Sequence, residues 1–326
     1  MKGKNILCRF GHLGFVIKFV SLLVLACASG CSQRELCYDH SHASPVTVIF
    51  DWSKAPEAAP ETMVVWFFSV DTDESYRFEL TDGQGQESRS GFDCKIKVRP
   101  GTYRVLCHNG GAEYIIEQGQ NSDDYRLVTP DDEVLAPMNR SESAPLPGAI
   151  ANQPVRKQPD TLWAHTLDTP VTVLPSDDTE KQILFTPVEV TAVYDITITG
   201  VKNLTSGVDA SAVITGMAEA WHPLTSRPAG EEVTIPFALN HAGADCLKGE
   251  VVVFGDNTPH NIRHYLRVYT SYKYYYDYDV TDQIHNASDS RHVEINLNGL
   301  NLPATGEGMS PGVNDWDNAE EVDLLM

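Results

Sequence analysis

The chain has 326 residues, of which 42% are hydrophobic and 21% charged, and its 45 acidic residues against 24 Lys and Arg give a formal net charge of -21 at pH 7. A surface this acidic repels nucleic acid, and no basic stripe, zinc knuckle or aromatic-plus-arginine motif interrupts it, so nucleic-acid binding is excluded. The length is large for one hydrophobic core and suits two domains of similar size.

Lys2, Lys4, Arg9 and Lys18 lead into an apolar run from Phe19 to Ala28, about half of the roughly 20 apolar residues a membrane-spanning helix requires. The pattern predicts a signal peptide over residues 1–30. Ala28-Ser29-Gly30-Cys31 resembles the lipobox of bacterial lipoproteins, in which small residues admit the signal peptidase and the cysteine thiol receives diacylglycerol. That resemblance implies that Cys31 opens the mature chain and holds it to membrane lipid. Residues 31–44 are polar and read as a tether. Asp39, His40 and His42 have the chemistry of metal ligands, but His-x-His in such a segment is ordinarily solvated, and no metal or cofactor is expected.

An N-terminal domain is expected over 45–168. Val46–Trp52, Met63–Val70 and Ser75–Leu80 are short, rich in β-branched and aromatic residues, and bounded by turn formers. Asp82–Gln86 reads as a hairpin or loop. From Cys94 to Cys107 apolar and polar residues alternate on both sides of Pro100-Gly101, the pattern of a half-buried hairpin. If Arg99 faces Thr102, Cys94 falls opposite Cys107, within disulfide reach, although a Pro-Gly type II turn would also suit a longer loop. Four thiols, Cys37, Cys94, Cys107 and Cys246, remain for an oxidising compartment, and a Cys94–Cys107 bridge is the pairing predicted. Glu113–Glu117 adds a strand. Residues 129–159 are rich in Pro, Ser, Asp and Asn and cannot form a central strand; they read as a wrapped loop or a mobile segment, with Trp163 pinning it to the first domain.

A C-terminal domain is expected over 169–326. Pro187–Thr199 alternates so that Val188, Val190, Ala192, Tyr194, Ile196 and Ile198 share a face. Further strands are predicted at Ala210–Met217, Val233–Leu239, Glu250–Phe254, His264–Thr270, Val293–Leu297 and Val322–Leu325, with Trp316 in the approach to the last. Tyr272–Tyr278 is the densest aromatic run. Exposed tyrosines make ligand platforms, so Tyr274, Tyr276 and Tyr278 are candidate ligand-facing residues; tyrosines filling a sandwich core and its rim are the favoured alternative. The whole pattern is all-β, two tandem antiparallel β-sandwiches behind a signal peptide.

No nucleophile elbow, zinc-protease helix, Walker loop or dinucleotide glycine pattern is present, so the chain is not expected to be an enzyme. Acid neighbours such as Asp123-Asp124, Asp131-Asp132-Glu133, Asp177-Asp178 and Asp277/Asp279 are no more than 45 acids make by chance. His260 and His264 would pair as metal ligands only on a helix, and their surroundings read as strand.

Phe50-Asp-Trp52, Pro100–Asn109, Gly200-Val-Lys-Asn-Leu204, Thr215-Gly-Met217, Asp279-Val-Thr-Asp-Gln283 and Asp315-Trp316, taken in this order, resemble the fimbrillin-like lipoproteins of Bacteroidetes, and within them a family of unknown function. The resemblance implies transthyretin-like topology for both sandwiches and an outer-membrane, cell-surface location. It also implies a role as fimbrial anchor or accessory subunit in adhesion, with fimbrial subunits as partners through β-strand addition. A stand-alone surface protein that binds a glycan or a protein of a host or another bacterium is the alternative. In polymerising members a protease removes the first strand after an arginine. Here Arg34 precedes that strand, Arg77 lies too deep, and Lys54 is the one basic residue suitably placed, so an unprocessed chain is expected. Asp160-Thr161-Leu162 resembles the short O-glycosylation site of these bacteria, which makes Thr161 a candidate acceptor.

Overall fold

The computed structural model of the chain describes residues 43–81, 94–148, 151–175, 180–256, 262–302 and 321–323, and Ala43–Met326 forms one compact unit. The predicted signal peptide, Cys31, Arg34, Cys37 and the Asp39–His42 segment lie outside the described residues, as do Asp177, Asp178, His260 and Trp316. In chain order the strands are β1 (Ser44–Phe50), β2 (Thr62–Ser69), β3 (Ser75–Thr81), β4 (Cys94–Val98), β5 (Gly101–Gly110), β6 (Ile116–Gln118), β7 (Arg126–Val128), β8 (Trp163–Thr166), β9 (Val171–Val173), β10 (Lys181–Phe185) and β11 (Val188–Glu189). There follow β12 (Ala192–Thr199), β13 (Ala210–His222), β14 (Arg227–His241), β15 (Leu247–Val253), β16 (Tyr265–Thr270), β17 (Tyr275–Asp279), helix α1 (Thr281–His285), β18 (His292–Asn298) and β19 (Glu321–Asp323). Among the described residues no helix is long and apolar enough to cross a membrane.

Two sheets enclose the first core. One has the order β10-β1-β4; the other runs β11-β8-β5-β2-β3, with β9 also paired to β5. Alternation along β1 sends Val46, Val48 and Phe50 inward, onto Met63, Val65 and Phe67 of β2 and Tyr103 and Val105 of β5. Burying each such side chain contributes roughly 1.5–3 kcal/mol.

The expected hairpin at Pro100-Gly101 does not form. β4 pairs with β1 and β5 with β2, so this turn carries the chain from one sheet to the facing one. Cys94 stands opposite Val48, Cys107 opposite Val65, and Cys107 is a free thiol, so the predicted Cys94–Cys107 disulfide is absent. The alternation was read correctly, and both residues do border the same core. Two strands in opposed sheets satisfy that pattern as well as two strands of a hairpin, because alternation specifies a face and not a partner.

The second half is built on a ten-stranded sheet with the main order β18-β12-β15-β14-β13-β16-β17-β19. Its corner is the long β14, which pairs with β13 along Arg227–Leu239 and then with β15 at Asn240 and His241. Ala192, Tyr194, Ile196 and Ile198 of β12 enter this core as the alternation predicts. Val190 does not, because the chain passes between the sheets there: Val188 pairs with Ala164 in the first half. Tyr276 and Tyr278 are core residues and Tyr274 packs half-buried against that core, the favoured of the two expectations, so Tyr276 and Tyr278 do not face a ligand. On the opposite side of β17, Asp277 binds Arg267 of β16 through two 2.5 Å contacts. The guanidinium also lies 4.0 Å from the centre of the Tyr275 ring and donates to the Pro145 carbonyl at 3.0 Å.

The sheets do not divide at 168/169. β9 and β10, beyond that point, complete the first sandwich, while β6 and β7 join the second sheet through β13. A third apolar cluster, with Phe68, Leu106, Tyr125, Leu127, Trp221 and Phe254, joins the two halves. The proline-rich stretch is laid on the second sheet: Leu135 and Ala144 cover Val213, Tyr269 and Tyr275. Gln153 reaches Gly216 and Thr234, and Gln158 spans Pro236 and Val252. At the end of the stretch Trp163 enters β8, which pairs with β5 of the first half, and its N–H donates to Asn109 Oδ1 at 2.7 Å.

Asp277→Asn leaves the buried guanidinium without its counter-charge and is expected to destabilise the protein by about 3 kcal/mol in urea denaturation. The double variant R267M/D277L should lose distinctly less. Burial pushes the Cys107 thiol far above its ordinary pKa. Iodoacetamide should therefore leave Cys107 unmodified in the native protein and alkylate it in denaturant; native labelling by mass spectrometry would contradict its placement.

Candidate functional site

β1, the first strand of the first sandwich, is held from both sides. Five residue pairs link it in parallel to β10 and five in antiparallel to β4. On its outer face the Glu180 carboxylate accepts from Thr47 Oγ1 and from Lys95 Nζ of β4, tying both flanking strands across it. Ser44 Oγ donates to the Leu174 carbonyl at 2.6 Å. Lys54 is exposed in the turn that follows, whereas Arg77 lies within β3, bound to Glu79 and Glu117. Among the described residues β4 and β10 are the edges of this sheet, and β10 exposes Leu184.

Where the halves meet, Glu117 of β6 gathers the polar side chains. Its carboxylate accepts from Trp66 Nε1 at 2.8 Å, Tyr125 OH at 3.0 Å and Arg77 Nη2 at 2.9 Å. Burial raises the Glu117 pKa, but the hydrogen bonds from Arg77 and Trp66 outweigh it and hold the carboxyl below its ordinary value. Burial pushes His108 down. In the neutral ring Nδ1–H donates to the Asn109 carbonyl at 2.8 Å, and Nε2, 2.8 Å from Tyr125 OH, competes with Glu117 for the tyrosine proton. A notch of about 180 Å³ beside this cluster is lined by Arg77, Glu79, His108 and Glu117.

The outer face of the second sheet carries a wider groove of about 530 Å³. The registers of β12 with β15 and with β18 set Asp195 between Glu250 and Glu294, and Thr197 between Lys248 and Asn296. All of these line the groove, which offers carboxylates, amides and an ammonium to a polar ligand. The other acid neighbours are locally engaged. Asp123 pairs with Arg104, Asp131 with Arg156, Asp132 with Lys157 and Asp279 with Arg263, and Asp124 Oδ1 accepts from two turn N–H groups.

Thr161 precedes β8 half-buried, its carbonyl accepting from Asn109 Nδ2 at 3.0 Å, while Asp160 accepts from the Tyr114 N–H. His264 is fully buried at the entry to β16 and meets Asp256, beyond β15, and His285, at the end of α1. Sequence reading missed this trio because its members are separated by 7 and 20 residues and α1 was not anticipated. Histidine beside carboxylate across three segments has no local spacing signal.

Residues 30–238 match the family model described as a domain of unknown function, DUF5119. No curated protein matches the chain. Among solved structures, a candidate adhesin from Bacteroides ovatus is similar with a TM-score of 0.60 and 17% identity, covering 85% of this chain and 98% of its own. A second candidate adhesin from that organism gives 0.52 at 11% identity, over 78% and 89% of the two chains. A candidate polysaccharide-binding protein from Bacteroides thetaiotaomicron gives 0.51 at 9% identity, over 79% and 91%. The all-β sandwich architecture is thus shared with these proteins.

Both titrating groups at Glu117 act in the same direction. An unfolded histidine takes up a proton below about pH 6.5, which the buried His108 refuses, so stability falls as pH drops from there toward the lower folded value. Glu117 contributes stability above the unfolded carboxylate value of about 4.3 and loses it as pH falls through its depressed folded value. Urea midpoints should therefore fall between pH 7 and 5 and again below about pH 4.3, with Glu117→Gln flattening the second fall. A midpoint independent of pH would refute this account.

Proposed function

The chain belongs to the DUF5119 family, described as a domain of unknown function, and we propose that it is a fimbrillin-like, lipid-anchored cell-surface protein that serves adhesion as a fimbrial anchor or accessory subunit. The observation that carries this reading is the double pairing of β1. With that strand in place its slot is filled, so polymerisation by replacement would first require its loss. The edges β4 and β10 remain as places for one partner strand, since an unpaired edge offers backbone donors and acceptors in register. Cys31, directly ahead of the polar tether, is the attachment point to outer-membrane lipid. The similarity of fold to candidate adhesins agrees with surface display.

Cross-linking on intact cells is expected to give one copy bound to fimbrial subunits, whereas a ladder of multiples of this chain would refute the unprocessed reading. Radioactive palmitate should label the wild type and not Cys31→Ala; equal labelling of both would remove the lipid anchor.

The groove on the second sheet favours one other reading, recognition of a surface glycan. It shares its fold with a candidate polysaccharide-binding protein, and its carboxylates and amides are suited to sugar hydroxyls. Binding on a glycan array lost in K248A/E294Q would support that role, and binding unchanged by those substitutions would exclude the groove.

A further inference from the structure

We propose that Asp256, His264 and His285 form a binding site for a divalent transition-metal ion, zinc being the closest chemical match. One donor atom from each residue lies within 4.8 Å of the others. His264 is oriented from three sides. Its Nδ1 is 2.9 Å from the Thr215 carbonyl, an acceptor only, so Nδ1 carries the proton and the Nε2 lone pair points away from the strand. Its backbone N–H donates to Thr281 Oγ1 at 3.0 Å. Gly216, at φ +74°, leaves room for the ring, since a Cβ there would come within 2.8 Å of His264 Nδ1. An imidazole fixed by an Nδ1–H bond to a backbone carbonyl is the arrangement in which a histidine presents Nε2 to a metal.

The Nε2 atoms of His264 and His285 are 3.1 Å apart. Two imidazole nitrogens bound to one tetrahedral zinc at about 2.0–2.1 Å stand about 3.3–3.4 Å from each other, so the two rings are already almost in place. Shifts of about an ångström in the half-buried Asp256 and His285 side chains would complete a set of two imidazoles and one carboxylate. Water would take the fourth position. Nitrogen and carboxylate donors of this kind select zinc and its first-row neighbours over calcium or magnesium, which require oxygen ligands. Because the three residues come from the segment after β15, the entry to β16 and the end of α1, a bound ion would tie these elements together.

The competing account is a hydrogen bond from His285 Nε2–H to His264 with no affinity for metal. Isothermal titration of EDTA-stripped full-length protein with zinc chloride distinguishes the two. One equivalent is expected to bind, with at least a tenfold loss of affinity in His285→Ala and in Asp256→Asn and none in H40A/H42A. Zinc at roughly 100 times its Kd should raise the melting temperature by several degrees. Cobalt(II) bound to the wild type should show the intense visible absorption of a tetrahedral site, a readout that depends on no variant's folding. Absence of zinc binding, affinity unchanged in both site variants, loss of binding in H40A/H42A, or an octahedral cobalt spectrum would each overturn the proposal.

Discussion

Everything in the second half of the molecule depends on β13 having both faces buried. Ala210, Ala212 and Ile214 point into the second core, while Val213, from the other face, lies under Leu135 and Ala144 of the proline-rich segment. A register shift between Ile214 and Met217, with Gly216 at φ +74°, then twists the strand so that Ala218 and Trp221 enter the cluster joining the two halves. A bulge that needs a left-handed residue is a place where glycine is required, because a Cβ there would be strained and would also strike His264. One strand therefore serves three apolar clusters, and the proline-rich segment is ordered by the surface it covers.

The same burial explains the placement of the polar groups. A guanidinium and a carboxylate on neighbouring strands are tolerated under that segment because Arg267 has Asp277, Tyr275 and the Pro145 carbonyl around it. At the junction, Glu117 satisfies an indole, a phenol and a guanidinium at once. Both networks consist of residues distant in sequence, brought together only when the sheets have formed. They tie the tertiary arrangement together and stand apart from the pairing of β1 and from the outer groove.

Much of the architecture was legible from periodicity. The strands at 44–50, 75–81, 192–199 and 292–298 follow the alternation that marks them, because a sheet with one buried face imposes period two on its sequence, while 62–69, buried on both faces, is marked by its β-branched and aromatic residues instead. The tyrosines of β17 were placed on a strand with a core position as the favoured reading, and Tyr276 and Tyr278 are indeed buried. Cys94 and Cys107 show the limit most sharply: their faces were right, and the bridge between them was wrong.

By itself the sequence determined the all-β class, the faces of most strands, the acidic surface and the resemblance to fimbrillin-like lipoproteins, because these follow from composition and from patterns within a few residues. Only the tertiary structure decided which strands are neighbours, that β9 and β10 return to the first sandwich, that β1 is held between two partners, and that Asp256, His264 and His285 converge. Each of these depends on contacts between segments far apart in the chain. Local preference there is indifferent, and the choice falls to the packing of one sheet against another.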